Sequence, residues 1–285
     1  MLAVLGCVAL TATSRGAAPA TLVALRASIP TPASVREAVS LIDDMAGSGP
    51  ARAEYGVAVL DRQTGRLSVG DEGNVAFYSA SVVKLFTVVA ILHRAQVGTV
   101  TLTSAQRASI QRAIEASDDH AMDALWTAFG GPATVREMIA LAGLRNTTPP
   151  ATRGEWGETK LSPRDVVQVY QYIFTGLNQP YRTMLLNYLS HARSTGADGF
   201  NQAFGLLASP RPAGVAAKQG WMIDRTHLYL HSTGLAGPDY RYAVAVLSKQ
   251  PASVGYPTGR ERLDTAIGHL TSALGLTTPD QSDAS

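Results

Sequence analysis

Inside the most apolar stretch of the chain, Phe77 to Leu92, the hydroxyl of Ser81 and the amine of Lys84 stand three residues apart. Such a run is buried on nearly every side, so a polar pair near its start needs a reason. On a helix, positions three apart share a face, and the amine can touch the hydroxyl. A serine hydroxyl becomes a nucleophile when a neighbour takes its proton, and a lysine can do this once burial or a nearby cation lowers its pKa. Cation usage points the same way. Only four of the 24 basic residues are lysines, Lys84, Lys160, Lys218 and Lys249, and a guanidinium in place of Lys84 could not give up its proton. Ser-x-x-Lys alone is a pattern that chance produces, and β-branched Val82, Val83, Val88, Val89 and Ile91 would also suit a strand that sets the two side chains on opposite faces. The run is longer than a usual strand and Ser79 is placed to cap it, so a helix is expected.

The elements that would position this pair follow from periodicity. Val35, Val39, Ile42 and Met45 recur at helical spacing. Tyr55 to Leu60 and Arg66 to Val69 flank the turn Asp61 to Gly65 as a hairpin. Leu102 to Phe129 reads as helix broken at Ser117-Asp118-Asp119, and a further helix follows Gly130-Gly131-Pro132 through Ala142. The polar loop from Arg145 to Ser162 is long enough to be a wall of a site. Asp165 to Phe174 and Tyr181 to His191 read as helices, and 192 to 214 as a surface connection. Val215 to Trp221, His227 to Ser232 and Tyr240 to Ser248 read as strands, the last central, before a closing helix from Thr258 to Leu274. The expected fold class is α+β: an antiparallel five-stranded sheet flanked by helices, with an all-helical lobe inserted. The expected boundaries are a leader and linker over 1–33, a domain over 34–275 (α/β lobe 34–80 and 192–275, helical lobe 81–191) and a tail over 276–285.

Composition narrows the class. At 285 residues with 46% hydrophobic and 16% charged residues, the chain is globular, and a net charge of +2 gives no case for nucleic-acid binding. One cysteine, Cys7, excludes an internal disulfide. The short apolar run Leu2 to Leu10 is like the latter part of a secretory signal, and Val4-Leu5-Gly6-Cys7 is like a lipobox, which predicts export and a lipid anchor through Cys7. The six histidines form no usual metal motif, so neither metal nor cofactor is expected. His227, Tyr229 and His231 alternate with leucines and read as the polar face of a strand.

Three short motifs in fixed order connect these elements. Ser81-Val82-Val83-Lys84, Ser117-Asp118-Asp119 and Lys218-Gln219-Gly220 resemble the nucleophile, Ser-Asp-Asn and Lys-Thr-Gly motifs of the serine β-lactamase and D,D-peptidase superfamily, in its class A-like branch, and the chain looks especially similar to β-lactamase-like lipoproteins of mycobacteria. The resemblance covers about 35–275. It implies that Ser81 attacks a carbonyl with Lys84 as proton acceptor, that Ser117 relays a proton to the leaving amine, and that Lys218 supplies positive charge. It implies an oxyanion site at the backbone N–H groups of Ser81 and Trp221. Asp119, Gln219, Gly220 and Trp156 would line the substrate site. The departures are Asp119 for asparagine, Gln219 for a hydroxyl, and a loop whose only carboxylates are Glu155 and Glu158, without the class A glutamate that activates the deacylating water. Either is a candidate base. Three functions are compatible with this pattern: a penicillin-recognising serine hydrolase with inefficient β-lactam hydrolysis, an impaired binding or scaffold protein, and a slow β-lactamase. The expected partners are a β-lactam or cell-wall-peptide-like substrate, and the expected state is a monomer.

Overall fold

The computed structural model describes residues 32–45 and 52–276. Cys7, the leader and almost all of the tail lie outside them. Among the described residues, seven strands run in chain order: β1 (Glu54–Asp61), β2 (Arg66–Val69), β3 (Phe77–Tyr78), β4 (Lys160–Leu161), β5 (Ala216–Ile223), β6 (His227–Ala236) and β7 (Tyr242–Pro251). Five form one antiparallel sheet, β2-β1-β7-β6-β5, with β7 central as its Ala/Val run predicts, while β3 and β4 pair separately. Tyr55, Val57, Val59, Val244 and Val246 face α1 (Pro32–Asp44) and α8 (Gly255–Ala273). Ala58, Leu60, Ala243, Ala245 and Leu247 face the other way. There they meet α2 (Val83–Gln96), α3 (Ser104–Glu115), α4 (Asp119–Ala128), α5 (Pro132–Ala142), α6 (Pro163–Thr175) and α7 (Gln179–Ser190). Strands covered on both faces read as continuous apolar runs, which is why these do.

Helix α2 is buried from Val83 to Leu92, apolar all round and wrapped by its neighbours. Truncating one of these side chains, as in Leu85→Ala, would cost about 2–5 kcal/mol. The organising run is not helical from its start, however. Phe77 and Tyr78 are held as β3, Ala80–Val82 form a 3-10 turn, and the helix begins at Val83. Ser79 does not cap it. Its N–H donates to Thr159 O, and its hydroxyl is shared between the carbonyls of Ala80 and Gly157, each 3.1 Å away. The loop's own backbone thus captures the residues that periodicity assigns to the helix.

The break at Ser117-Asp118-Asp119 has a plain cause: Asp118 is the N-cap of α4, accepting from Ala121 N at 3.0 Å. The segment read as a surface connection is partly core, because Phe204 and Leu206 are fully buried against the α1 and α8 side. His231 and Tyr229 are also buried rather than on an open polar face, since β6 lies between β5 and β7 and Tyr78 covers this side of it.

Candidate active site

Three elements converge at one point. Ser81 lies in the 3-10 turn before α2, Ser117 in the turn between α3 and α4, and Lys218 on the edge strand β5. Ala80, just before Ser81, and Ser117 have φ of 45° and 52°. Side chains with a Cβ adopt that left-handed region at a cost of about 1–2 kcal/mol, and such strain concentrates at functional turns. Gly220 sits where a Cβ would lie 3.0 Å from Ser79 O and 3.0 Å from Val82 Cγ2, so glycine lets β5 press against the serine turn.

Lys84 is fully buried, and its Nζ lies 2.8 Å from Ser81 Oγ, 2.7 Å from Ser117 O and 2.5 Å from Asp119 Oδ1. Ser117 Oγ is farther, at 3.3 Å, and an ammonium has three hydrogens, so the first three acceptors use them all. Ser117 Oγ is instead 2.8 Å from Nζ of Lys218, which also donates to Gln219 O at 2.9 Å. Thr233 Oγ1 donates to Lys218 O at 2.7 Å and lies 3.1 Å from Tyr170 OH, which fixes the strand carrying Lys218. Burial pulls the Lys84 amine below the usual lysine range, against the opposing pull of Asp119. Burial, followed by repulsion from Lys84, pulls Lys218 well below that range. A neutral amine 2.8 Å from a serine hydroxyl is in position to accept its proton.

The structure brings Ser81, Lys84, Ser117, Asp119 and Lys218 into one cluster, with Gly220 against it. The Trp156 ring roofs the cluster 4.6 Å from Lys84 Nζ, its own Nε1 donating to Asp123 Oδ1 at 2.8 Å. Gln219 is a correction. Strand alternation that points Lys218 at Ser117 sends Gln219 to the opposite face, where it is 1% exposed and its amide donates to Phe204 O. It does not present an amide to the cleft. Glu155 is exposed and Glu158 half-buried, and among the described residues neither carboxylate hydrogen-bonds to Ser81, Lys84 or Ser117. The Trp221 ring stacks on Phe200 at 4.7 Å and 17°, with Nε1 donating to Asp198 Oδ2 at 3.0 Å. Sequence reasoning missed Asp198 and Phe200. Gly-Ala-Asp-Gly-Phe signals only a turn, although the Asp198 charge reaches both buried lysines.

An antiparallel five-stranded sheet carrying a serine–lysine–serine–lysine cluster beside its edge defines a class, that of the serine β-lactamase fold. The chain belongs to the β-lactamase enzyme family: that family's model matches residues 103–275, a stretch that holds Ser117 and Lys218 and begins after Lys84. The chain is 35% identical over 225 residues to "Putative lipoprotein LppW" of Mycobacterium tuberculosis and of Mycobacterium bovis, covering 78% of this chain and 69% of each relative. Among solved structures it is similar to PBP-A (TM-score 0.67, 20% identity, 83% of this chain and 95% of that one). It is also similar to the TLA-1 extended-spectrum β-lactamase (0.69, 16%, 85% and 99%) and to a class A β-lactamase of Bacteroides cellulosilyticus (0.69, 15%, 85% and 98%). At these identities the likeness to solved structures is one of fold.

Proposed function

We propose that the protein is a serine acyltransferase or hydrolase that forms an acyl-enzyme on Ser81 and releases it slowly. The observation that carries this reading is the pair of buried contacts, Lys84 Nζ to Ser81 Oγ and Lys218 Nζ to Ser117 Oγ, each 2.8 Å. Neutral Lys84 takes the Ser81 proton as Oγ attacks the carbonyl of a strained or ordinary amide. The oxyanion rests on the N–H groups of Ser81 and Trp221. The proton taken by Lys84 passes through Ser117 Oγ, 3.3 Å away and oriented by Lys218 at 2.8 Å, to the departing nitrogen, so the amide C–N bond breaks as the ester forms. Deacylation then needs a base for water, and the loop supplies no carboxylate in contact with Ser81. β-Lactams and cell-wall-like peptides are the substrates this geometry suits. A leucine-to-glutamate mutant of the similar PBP-A has been solved as an acyl-enzyme complex with penicillin G, which supports the reading by fold alone. The word lipoprotein in the name of the mycobacterial relatives supports an envelope location.

A second reading, a binding protein with suppressed chemistry, has its own observation: Asp119 Oδ1 lies 2.5 Å from Lys84 Nζ, and this ion pair favours the charged amine. A time course separates the two. Mixing the protein with a fluorescent penicillin should give one stable label per chain within minutes, while nitrocefin shows less than one turnover in that time. No label with several β-lactams and fluorophosphonates would select the binding reading, and sustained nitrocefin turnover would select a β-lactamase.

A further inference from the structure

The alternation His227-Leu228-Tyr229-Leu230-His231 takes no part in the chemistry above, yet it borders a cavity of about 330 Å³. The walls include Tyr78, Tyr229, His227, Lys160, Lys249 and Glu54, and none of the residues that meet at Ser81. The chain's four lysines therefore fall into two pairs, one around Ser117 and one around this cavity.

The polar groups in the cavity are unevenly satisfied. Lys249 is paired with Glu54 at 2.8 Å, whereas Lys160 makes no ion pair among the described residues and stands 5.8 Å from the Tyr78 ring. Tyr229 is 95% buried, being 5% exposed, and its hydroxyl has no hydrogen-bond partner among the described residues although it borders the cavity. Burial, then the charge of Asp224, pushes that hydroxyl up to about 12, so it stays a donor. The Tyr78 and Tyr229 rings pack on each other, 5.5 Å apart and tilted by 53°, and together give the cavity one aromatic wall. Asp224, the other acid lining the cavity, is occupied by its own turn, accepting from Thr226 N and His227 N at 2.7 Å each.

We propose that this cavity is a second binding site, for a small monocarboxylate carrying a ring. The carboxylate takes the free Lys160 ammonium and the Tyr229 hydroxyl, and the ring lies against Tyr78 and Tyr229. A monoanion fits better than a phosphate dianion because Glu54 pairs with Lys249 and Asp224 adds a second negative charge at the border, which leaves Lys160 as the one lining ammonium without an ion pair among the described residues. The ligand would rest on β3, whose Tyr78 carbonyl accepts from His231 Nε2 at 2.8 Å and which leads directly into the Ser81 turn.

The test is calorimetric titration of the full chain with benzoate at low ionic strength, with neutral benzamide as the comparison. Saturable benzoate binding with Kd on the order of 1 mM is expected, about tenfold tighter than benzamide. Lys160→Met should weaken it about tenfold and Tyr229→Phe about threefold, while Ser81→Ala leaves it unchanged. Lys160 is exposed, so Lys160→Met keeps the fold, and an unchanged melting temperature verifies this. Absence of saturable binding to 20-fold above that Kd would overturn the proposal. So would binding that survives both substitutions, or binding that is lost in Ser81→Ala and kept in Lys160→Met, which places benzoate in the catalytic cluster.

Discussion

The two walls of the cleft hold their lysines differently. On the helical wall, Lys84 has a carboxylate partner that is 60% exposed, two serine oxygens at close range and a tryptophan roof. On the sheet wall, Lys218 is equally buried but has no carboxylate in contact: it meets Ser117 Oγ, a backbone carbonyl and a like-charged neighbour, while Asp119 and Asp198 act on it only from a distance. The amine with no acid in contact is pushed well below its ordinary range, whereas the one in contact with Asp119 is lowered against that pull. The difference teaches what Asp119 does in place of an amide: it spends its oxygen on Lys84 and holds a proton on the residue that must lose one. In the proposed mechanism, acylation is then set by how strongly burial outweighs that ion pair.

The largest effect expected from breaking this comparison is at Lys84. Lys84→Arg replaces the proton acceptor with a group that stays charged, and labelling by a fluorescent penicillin should fall by about 10³-fold or more, read as the second-order acylation rate. Labelling at the parental rate would remove Lys84 from the mechanism.

Asp119→Asn sharpens the comparison instead. With the carboxylate gone, the largest pull against burial is removed, the more distant Asp198 and Asp118 remain, and the Lys84 pKa moves further down. The rising limb of the acylation–pH profile should shift to lower pH, and the rate at pH 7 should rise about three- to tenfold, the exposed carboxylate being partly screened by solvent. A fall in rate would mean that Asp119 contributes to catalysis by another route.

Stability against pH tests the buried groups of the sheet. His231 donates through Nε2 to Tyr78 O and accepts through Nδ1 from Ser248 N, so it is held neutral, and burial lowers its pKa to about 4. Its folded pKa lies below its unfolded value near 6.5, so between the two the unfolded chain binds more protons. Stability therefore falls as pH drops through 6.5, with the full loss of roughly 3 kcal/mol reached below 4. Denaturant unfolding of the parent and His231→Gln at pH 7 and pH 5 measures it, and the variant should lose less across that interval.

Gln219 makes the smallest prediction. Restoring a family-like hydroxyl with Gln219→Thr should change acylation by no more than about twofold, because that position faces Phe204, while stability drops by about 1 kcal/mol with the lost amide bond. A large gain in labelling would show that the side chain reaches the cleft.

Much of this was legible in the chain. The Ala/Val run from Tyr240 to Ser248 placed β7 in the centre, and three motifs in order placed Ser81, Lys84, Ser117 and Lys218 together. What could not be read depends on partners distant in sequence. Nothing near Phe77 shows that β4 will extract it from the helix. Nothing in His227 to His231 tells that Tyr78 covers that face, and nothing in Gly-Ala-Asp-Gly-Phe places Asp198 near two lysines. Gln219 is different: once Lys218 is directed at Ser117, the strand period alone turns Gln219 away.

The central claim is that Ser81 Oγ is the atom that becomes acylated. Incubation with penicillin G, proteolysis and peptide mass mapping test it directly. The account predicts one adduct of the intact penicillin mass on the peptide carrying Ser81, absent in Ser81→Ala and in Lys84→Arg. An adduct on any other residue, or one that persists in Ser81→Ala, would contradict it.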